Sequence, residues 1–530
     1  MERRDFLRLG LGVAATGLAA ACREPERRPT PDDAAVAAPD AAESPTPEVA
    51  EGVDVAAAEV APAPVRCGPL HEREADAERQ LERLRASLGA GDGTLLTPGD
   101  AGFEAAIAAF NGRTMRRPRA QLACKRVEAV AVAVQWAADQ GVPFAIRGGG
   151  HSYEGFSQSE GLVVDQRPMA SVAVDGDLVS VGTGASHGAM YAALAAHGLA
   201  LPAGSCPPVG VSGHTLGGGY GFLARPLGLS CDNVVGLDLV DAAGCVVRAD
   251  AGTNADLFWA LRGAGNGSFG VVSRFDFRAH RLDRVTGFEV SWRRPVAEAV
   301  PIVRAWQAWA PDAPDDLTAV LSLNSNAQGI GVLVHGQSVG SVTATRAELE
   351  RFVRSVGAAP GVPLQVWSKS FGDAMAAFGS AESRAPILMK GKSDYLRAAM
   401  SDAGLTTLLG GLAKRPGQIR VHLDSYGGAI GRVPAEATAF PHRAGARYSM
   451  QYGSTWRDPK HTAAYLAGLR ELYQDMRPFV SGEAYVNYPD LDLTDGPEAY
   501  WGANLPRLRR VKAACDPANL FRHAQSVPVG

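Results

Sequence analysis

Residues 147–156 read RGGGHSYEGF, and residues 204–221 read GSCPPVGVSGHTLGGGYG. Consecutive glycines remove the side chains from both stretches, which lets a ligand approach the main chain closely. The first stretch adds His151, and the second adds Cys206, a cysteine without a CxxC partner. A neutral imidazole and a thiol are both nucleophiles. The two stretches therefore predict a glycine-lined pocket that carries reactive side chains.

His151 and Cys206 each keep more than one interpretation when taken alone. His151 is a candidate metal ligand with Glu154 three residues on, but no second histidine follows at ligand spacing. It is also a candidate structural histidine in a turn, or a covalent anchor for a flat ring system. Cys206 is compatible with an unreactive thiol or with a nucleophile. A third glycine motif, GNGSFG at residues 265–270, leaves a predicted helix and enters a strand, which is the reverse of a dinucleotide-binding loop.

Length and composition limit the class of protein. A chain of 530 residues exceeds one ordinary domain, so two or more packed units are expected. The hydrophobic share of 46% and the charged share of 20% are typical of a globular protein. A formal net charge of -4 provides no basic surface for nucleic acid. A nucleic-acid partner is therefore not expected.

The first 22 residues are predicted to be an export signal. Arg3 and Arg4 precede an apolar run that is too short to span a bilayer, as in a twin-arginine signal; the alternative is the basic start of an ordinary secretion signal. Ala19–Cys22 resembles a lipoprotein cleavage site, although it begins with alanine where leucine is usual, so a lipid on Cys22 is the one membrane contact we consider. The mature protein is expected in the periplasm or outside the cell.

Residues 23–75 follow as a linker rich in Ala, Pro and acidic residues, which cannot bury enough apolar surface to fold. In an oxidising compartment Cys67 and Cys124 are candidates for a disulfide. Beyond the linker, the spacing of apolar residues predicts short helices and strands that mix without regular βαβ units, which indicates an α+β fold. The predicted elements are a helix at 125–140, a strand at 143–146, hairpins at 171–184 and 236–249, and a helix at 187–198.

The two glycine stretches together resemble those of the FAD-linked oxidases of the berberine-bridge-enzyme and glucooligosaccharide-oxidase family. The similarity extends from about residue 116 through 283 and resumes in EAYVNYPDLDL, YWGANLPRLRRVKAACDPANLF and RHAQSVP near the C-terminus. The resemblance implies a two-part FAD-binding domain of the vanillyl-alcohol-oxidase/p-cresol-methylhydroxylase type at residues 76–283. It also implies an α+β substrate domain with an antiparallel sheet at 284–479, and a segment at 480–530 that returns to the FAD domain.

The resemblance implies FAD attached at two points, to His151 through its 8α-methyl group and to Cys206 through C6. The glycines around both residues are then expected to place backbone amides against the FAD phosphates. Further contacts to FAD are predicted for Arg147, Gly148, Gly149, Gly150, Ser152, Gly204, Val209, Gly210, Gly213, His214, Gly217, Gly218, Gly219, Tyr220, Gly221, Gly270, Val271, Val272 and Asn487.

Catalytic candidates lie in two later stretches, AYVNYPD and HLDSYGG. The resemblance implies that Tyr488 is the base and that Asp424 or Tyr426 assists it from a neighbouring strand. Tyr485 alternates with Asn487 along a predicted strand, so it is expected on one face and Tyr488 on the other. Tyr485 is either a second catalytic group or an aromatic packing residue. No metal is expected in the site.

These features predict an oxidase that acts on a sugar hemiacetal or a hydroxylated natural product and passes electrons to O2. Val209 resembles an oxygen-gating position, and a valine there is typical of oxidases rather than dehydrogenases. Alternatives are oxidative cyclisation or amine oxidation with Asp424 as base, a binding protein without turnover, and a metal hydrolase built on His151. Four tryptophans are candidates for a sugar-stacking platform or for core packing: Trp306, Trp309, Trp367 and Trp456. Trp136 and Trp259 are expected in the core.

Overall fold

A computed structural model describes residues 73–378 and 387–530 of the chain. The predicted export signal, Cys22, Cys67 and almost all of the predicted linker lie outside the described residues. Within the described part, no helix has both the length and the apolar character that crossing a membrane requires.

Helices α1 to α15 of the described residues are Ala77–Ser87, Phe103–Ile107, Val127–Gln140, His187–Ala195, Val211–Leu216, Ala224–Leu227, Ala255–Ala264, Val296–Trp309, Val342–Val356, Phe371–Phe378, Asp402–Ala413, Gly428–Arg432, Thr462–Met476, Gly496–Trp501 and Leu505–Cys515. Strands β1 to β18 are Gly93–Leu96, Ala120–Cys124, Phe144–Arg147, Leu162–Asp165, Val172–Asp175, Leu178–Gly182, Leu199–Ala200, Val234–Val240, Val246–Asp250, Val271–Arg278, His280–Arg281, Arg284–Arg294, Leu317–Asn326, Gly329–Ser338, Val362–Ser370, Leu388–Leu396, Ile419–Ser425 and Tyr448–Trp456.

The N-terminal half is built on two larger sheets, and β7 and β11 form a separate two-stranded sheet. A four-stranded sheet has the order β1-β2-β4-β3, in which β2, β4 and β3 run parallel. An antiparallel five-stranded sheet has the order β5-β6-β10-β8-β9. Helix α3 packs its valines and alanines into the core beside the first sheet. Strand β3 ends at Arg147, so the first glycine stretch begins where the sheet ends.

The C-terminal half is built on an antiparallel seven-stranded sheet with the order β15-β12-β14-β13-β17-β18-β16. It begins at Arg284, directly after the predicted boundary at residue 283. Side chains alternate between its two faces. Leu321, Val334 and Leu423 belong to the core that helices α8, α9, α11 and α13 cover. The other face carries buried polar residues and looks toward the glycine stretches.

Several elements predicted from the sequence are confirmed. Helix α3 ends at Gln140 because Gly141 adopts a left-handed φ of 65°, which a glycine tolerates at a helix C-terminus. Strands β5 and β6 form the predicted hairpin, with Gly176 at a φ of 62°. Trp136 and Trp259 are both buried in the core. The mixed helices and antiparallel sheets confirm the α+β class.

The predicted pairing of Cys124 with Cys67 is wrong. Cys124 is a free thiol that is buried in the core on β2, and its Sγ lies 3.6 Å from the Leu122 carbonyl. Among the described cysteines, Cys245 is the one that takes part in a disulfide. The core position of Cys124 explains the error, because sequence spacing does not tell a packed thiol from a cross-linked one.

A buried ion pair holds the C-terminal segment. Lys512 lies in the last turn of α15, and Asp516 directly follows that helix. Both side chains are fully buried, and Nζ of Lys512 lies 2.7 Å from Oδ2 of Asp516. Lys512 also donates to the carbonyls of Ser268 and Phe521 at 2.6 Å. Asp516 accepts from the backbone amides of Leu520 and Phe521. The pair therefore orders the chain that follows α15.

Replacing Lys512 by methionine is expected to lower the free energy of unfolding by about 3–5 kcal/mol, because Asp516 is left as an uncompensated buried charge. Urea unfolding measures the change. The exposed pair of Lys460 and Asp458 provides the control: Lys460→Met should change the free energy by less than about 1 kcal/mol. Equal effects of the two substitutions would contradict the role of the buried pair.

Candidate active site

A large cavity separates the glycine stretches from the polar face of the seven-stranded sheet. Its wall also includes the C-terminal residues Leu520 to His523 and the segment from Tyr485 to Pro489. Most of the residues predicted from the sequence line it: Gly148, Gly149, Gly150, His151, Ser152, Gly204, Cys206, Val209, Gly210, Gly213, His214, Tyr220, Gly221, Gly270, Val272, Asp424, Tyr485, Asn487 and Tyr488.

The two glycine stretches press against each other at one side of the cavity. A Cβ atom on Gly149 would lie 2.3 Å from the backbone nitrogen of Gly210, and a Cβ on Gly148 would lie 2.3 Å from the Ser212 hydroxyl. Gly150 adopts a φ of 74°, which favours glycine. Glycine is therefore required here for the two loops to close, as well as for access to the main chain.

His151 and Cys206 reach the same cavity from different loops. The imidazole of His151 stacks on Phe110, with ring centroids 4.5 Å apart. Its buried Nδ1 has no hydrogen-bond partner among the described residues. Burial lowers the pKa of His151 to about 4, so the ring is neutral near pH 7 and its nitrogen lone pair is available. Cys206 is not part of a disulfide.

Glu154, the second ligand that a metal site at His151 would need, is engaged elsewhere. Glu154 is buried and pairs with Arg113 at 2.6 Å and with Lys390. These two cations occupy its carboxylate. In the described ranges no cluster of three His, Cys, Asp or Glu residues is arranged to hold a metal ion.

Six predicted residues do not line the cavity: Arg147, Gly217, Gly218, Gly219, Val271 and Tyr426. The guanidinium of Arg147 turns away and donates to the carbonyls of Ala106 and Ile107, at 2.7 and 3.1 Å. Arg147 therefore supports the chain beside α2. Tyr426 packs its ring on Tyr220 at 5.6 Å, and its hydroxyl lies 3.1 Å from that of Tyr395.

The segment after His214 positions the hydroxyl group of Tyr485. The backbone amides of Gly219 and Tyr220 donate to the Tyr485 hydroxyl at 2.9 and 3.2 Å. The Asn487 side chain donates to the same oxygen at 2.8 Å. Burial raises the pKa of Tyr485 to about 12, and these donors oppose the rise. Three N–H groups therefore hold the Tyr485 oxygen in one position.

The stretch that contains both tyrosines is a turn and not the predicted strand. The amide of Tyr488 donates to the carbonyl of Tyr485 at 2.9 Å. The two rings meet edge to face at 4.9 Å, and Tyr488 stacks over Tyr153 at 5.7 Å. The expected alternation is wrong, because a turn brings residues three apart together. Both tyrosines consequently reach the same cavity.

Asp424 lies on β17 with its carboxyl group at the cavity wall. The side chain of Ser449, on the neighbouring strand, donates to it at 3.2 Å. Burial raises the pKa of Asp424 to about 7, and the hydrogen bond from Ser449 opposes this. The hydroxyl of Tyr488 makes no hydrogen bond to any described residue, and burial raises the pKa of that hydroxyl well above its usual value. The site thus combines a carboxyl group that titrates near neutrality with an available phenol.

Several residues that line the cavity are not among the predicted site residues. Tyr153 follows His151 by two positions, and its hydroxyl accepts a hydrogen bond from Gln451 at 2.8 Å. His335 and His422 come from strands far apart in the chain. The alternation of polar and apolar residues along these strands was the sequence signal that could have indicated His335 and His422 as cavity residues. The four candidate platform tryptophans do not line the cavity; for example, Trp306 is buried in the sheet core and Trp309 stacks on Phe352.

The cavity residues fit a large polar cofactor. The side-chain oxygens of Asn266 and Ser157 are buried at its wall and lack partners among the described residues. Buried polar atoms of this kind carry a free-energy cost unless a ligand or water satisfies them. Together with the side-chain-free glycine wall, they match the phosphates, ribityl chain and ring of a flavin nucleotide.

Comparisons with known proteins agree with this geometry. Residues 118–250 match the family model described as an FAD binding domain, and residues 484–528 match the one described as berberine and berberine like. The FAD-linked oxidoreductase YgaK of Bacillus subtilis is 34% identical over 445 residues, which is 82% of this chain and 97% of that protein. Berberine bridge enzyme-like D-1 of Nicotiana tabacum is 34% identical over 72% of this chain and 78% of its own length.

Solved structures show the same fold. BBE-like 1 of Physcomitrella patens superposes with a TM-score of 0.78 at 31% identity and covers 84% of this chain and 99% of its own. Berberine bridge enzyme from Eschscholzia californica superposes with a TM-score of 0.78 at 26% identity, over 85% and 99% of the two chains. The fold and the site define an FAD-linked oxidoreductase with a p-cresol-methylhydroxylase-type flavin domain. The chain belongs to the berberine-bridge-enzyme-like family.

Proposed function

We propose that this oxidoreductase is an exported oxidase that removes hydride from a hydroxyl-bearing carbon of a sugar hemiacetal or a hydroxylated natural product. One observation carries the proposal: Asp424 and Tyr488 line the same cavity as His151 and Cys206. Removal of hydride from an alcohol carbon also requires removal of a proton from its oxygen. A carboxyl group and a phenol at the wall of a flavin cavity supply this second function.

His151 and Cys206 are proposed to hold FAD covalently, at the 8α-methyl group and at C6. The neutral imidazole and the thiol at one wall support attachment through both residues. Bound FAD supplies the hydride acceptor at N5. The glycine wall and the unpartnered oxygens of Asn266 and Ser157 would bind the rest of the cofactor.

Proton removal is proposed to pass through Tyr488 to Asp424. Burial disfavours a free tyrosinate at Tyr488, so its hydroxyl needs a partner that takes its proton as it receives one from the substrate. Asp424 is suited to this because burial raises its pKa to about 7. Above that pH its carboxylate accepts the proton that Tyr488 releases. Tyr485, fixed by three donors, supports the position of the Tyr488 ring.

Dioxygen is proposed as the final electron acceptor, with hydrogen peroxide as the product. Val209 lines the cavity in the loop that follows Cys206, and a side chain of this size leaves room for oxygen. A dehydrogenase that uses another acceptor is the alternative. Export through the predicted twin-arginine signal agrees with a protein that folds around its cofactor first.

The test follows the flavin spectrum of the full chain under anaerobic conditions during additions of D-glucose, cellobiose and benzyl alcohol. We expect at least one of these alcohols to bleach the flavin band and, after air is admitted, to yield one hydrogen peroxide per turnover. Bleaching without peroxide would indicate the dehydrogenase. The absence of bleaching by any alcohol would contradict the proposal.

Amine oxidation with Asp424 as the base is the second candidate. A carboxylate base is the feature that favours it, and one solved structure of a berberine bridge enzyme variant contains (S)-reticuline. The same anaerobic assay with N-methylbenzylamine separates the two reactions, because only amine oxidation bleaches the flavin with a substrate that lacks a hydroxyl group.

A further inference from the structure

Three side chains on adjacent strands form a hydrogen-bonded chain on the cavity face of the sheet. The hydroxyl of Ser322 on β13 lies 3.1 Å from Nε2 of His335 on β14 and 2.8 Å from Nδ1 of His422 on β17. Both histidines line the cavity. Ser322 and His335 are each 3% exposed. We refer to these three residues as the His–Ser–His chain.

Both outer ends of the chain are unsatisfied. Nδ1 of His335 and Nε2 of His422 are buried and have no hydrogen-bond partner in the described part of the protein. Leaving two buried polar atoms unpaired destabilises the fold unless something else binds them. Because both rings line the cavity, a ligand or a water in the cavity is the partner that can satisfy them.

The hydrogen bonds make the two ends opposite in character. Burial lowers the pKa of His335 to about 3 and that of His422 to about 4, so both rings are neutral and each carries a single N–H. The Ser322 hydroxyl has one hydrogen, so it donates to one ring and accepts from the other. Whichever way it points, one outer nitrogen is a donor and the other is an acceptor.

We propose that the His–Ser–His chain is a substrate subsite that binds the hydroxyl groups of a polyhydroxylated substrate, such as a saccharide. Hydroxyl groups both donate and accept, so two of them satisfy both ends of the chain. A protonated amine offers donors alone and a carboxylate offers acceptors alone, so each would leave one end unpaired. The proposal rests on the proposed oxidase function and names its substrate class.

The neighbouring residues on the same sheet face extend the subsite toward the reacting groups. His422 and Asp424 lie two residues apart on β17, so their side chains share a face. Gln451 lies opposite His422 in the register of β17 and β18. The subsite therefore binds a hydroxyl group beside the one that Asp424 and Tyr488 act on.

The experiment compares the flavin-loaded full chain with its Ser322→Ala variant, with cellobiose, xylobiose and D-glucose as probes and benzyl alcohol as the single-hydroxyl control. Calorimetry measures binding of each sugar, and the anaerobic assay measures flavin reduction. Loss of the bridging hydroxyl uncouples the two rings. We expect the Kd and KM for the best sugar to rise by about tenfold or more, with kcat and flavin content within about twofold.

Two further variants separate binding from structure. Thr318 lies on the same strand and face as Ser322 but does not line the cavity. The Thr318→Val variant should therefore leave sugar binding unchanged. The Ser322→Thr variant retains the hydroxyl group and should therefore bind sugar as the wild-type protein does, in contrast to Ser322→Ala. Benzyl alcohol kinetics should not respond to Ser322→Ala.

The possible results distinguish a failure of the subsite proposal from a failure of the proposed oxidase function. Sugar binding that depends on Ser322 without flavin reduction would contradict the oxidase and leave the subsite standing. Reduction by sugars with a KM that Ser322→Ala does not change would overturn the subsite and leave the oxidase standing. If none of the three sugars binds the wild-type chain, the subsite proposal is also overturned.

Discussion

After denaturation in acid, the wild-type protein is expected to keep its yellow flavin on the precipitated chain, whereas the His151→Ala/Cys206→Ala double variant should release it into the supernatant. A covalent bond survives unfolding, but contacts to the glycine wall do not. The absorption spectra of pellet and supernatant measure the outcome. Each single variant should retain flavin through its remaining link, with a shifted spectrum because one substituent on the ring has been lost.

The matched control for this experiment is Cys231→Ala. Cys231 is a buried thiol that does not line the cavity, so its replacement should leave the flavin attached. Complete release of flavin from the wild-type chain would contradict covalent attachment. Release from the Cys206→Ala variant alone would show that Cys206 is the single attachment point and that His151 binds the ring without a bond.

The second large effect is expected from Asp424→Asn. The substitution keeps the shape and the hydrogen bond from Ser449 but removes the group that accepts the proton. We expect kcat to fall by about 10²- to 10⁴-fold, the range associated with a positioned acid or base. The pH profile of kcat should also change. In the wild-type enzyme the rate should fall as the pH decreases through about 7, because burial raises the pKa of Asp424 to that value and the protonated carboxyl cannot accept a proton.

Ser449→Ala tests the assignment of this pH dependence. The hydrogen bond from Ser449 lowers the pKa of Asp424, so its loss should move the acidic limb to higher pH and leave the plateau rate nearly unchanged. In Asp424→Asn the limb should disappear. Persistence of the limb in that variant would show that another group titrates, and a rate equal to that of the wild type would remove Asp424 from the reaction.

Short-range patterns in the sequence predicted much of the fold. Helix α3, strand β3 and the β5–β6 hairpin depend on residues next to one another, so apolar spacing and single glycines were sufficient to locate them. Short-range patterns gave the wrong structure for the stretch from Tyr485 to Tyr488. Four residues do not distinguish a strand from a turn, and here the turn is held by the amides of Gly219 and Tyr220, more than 260 positions away.

Some features of the candidate site could likewise be predicted from the sequence, and others could not. The sequence alone determined that His151 and Cys206 stand beside bare backbone, and the family resemblance followed from those stretches, because both depend on local chemistry. Only the tertiary structure decided that Arg147 faces the chain near α2, that Asp424 and Tyr488 line one cavity, and that Ser322 bridges two histidines. The Ser322 bridge depends on the register of β13 with β14 and β17, and all three facts depend on contacts between residues distant along the chain.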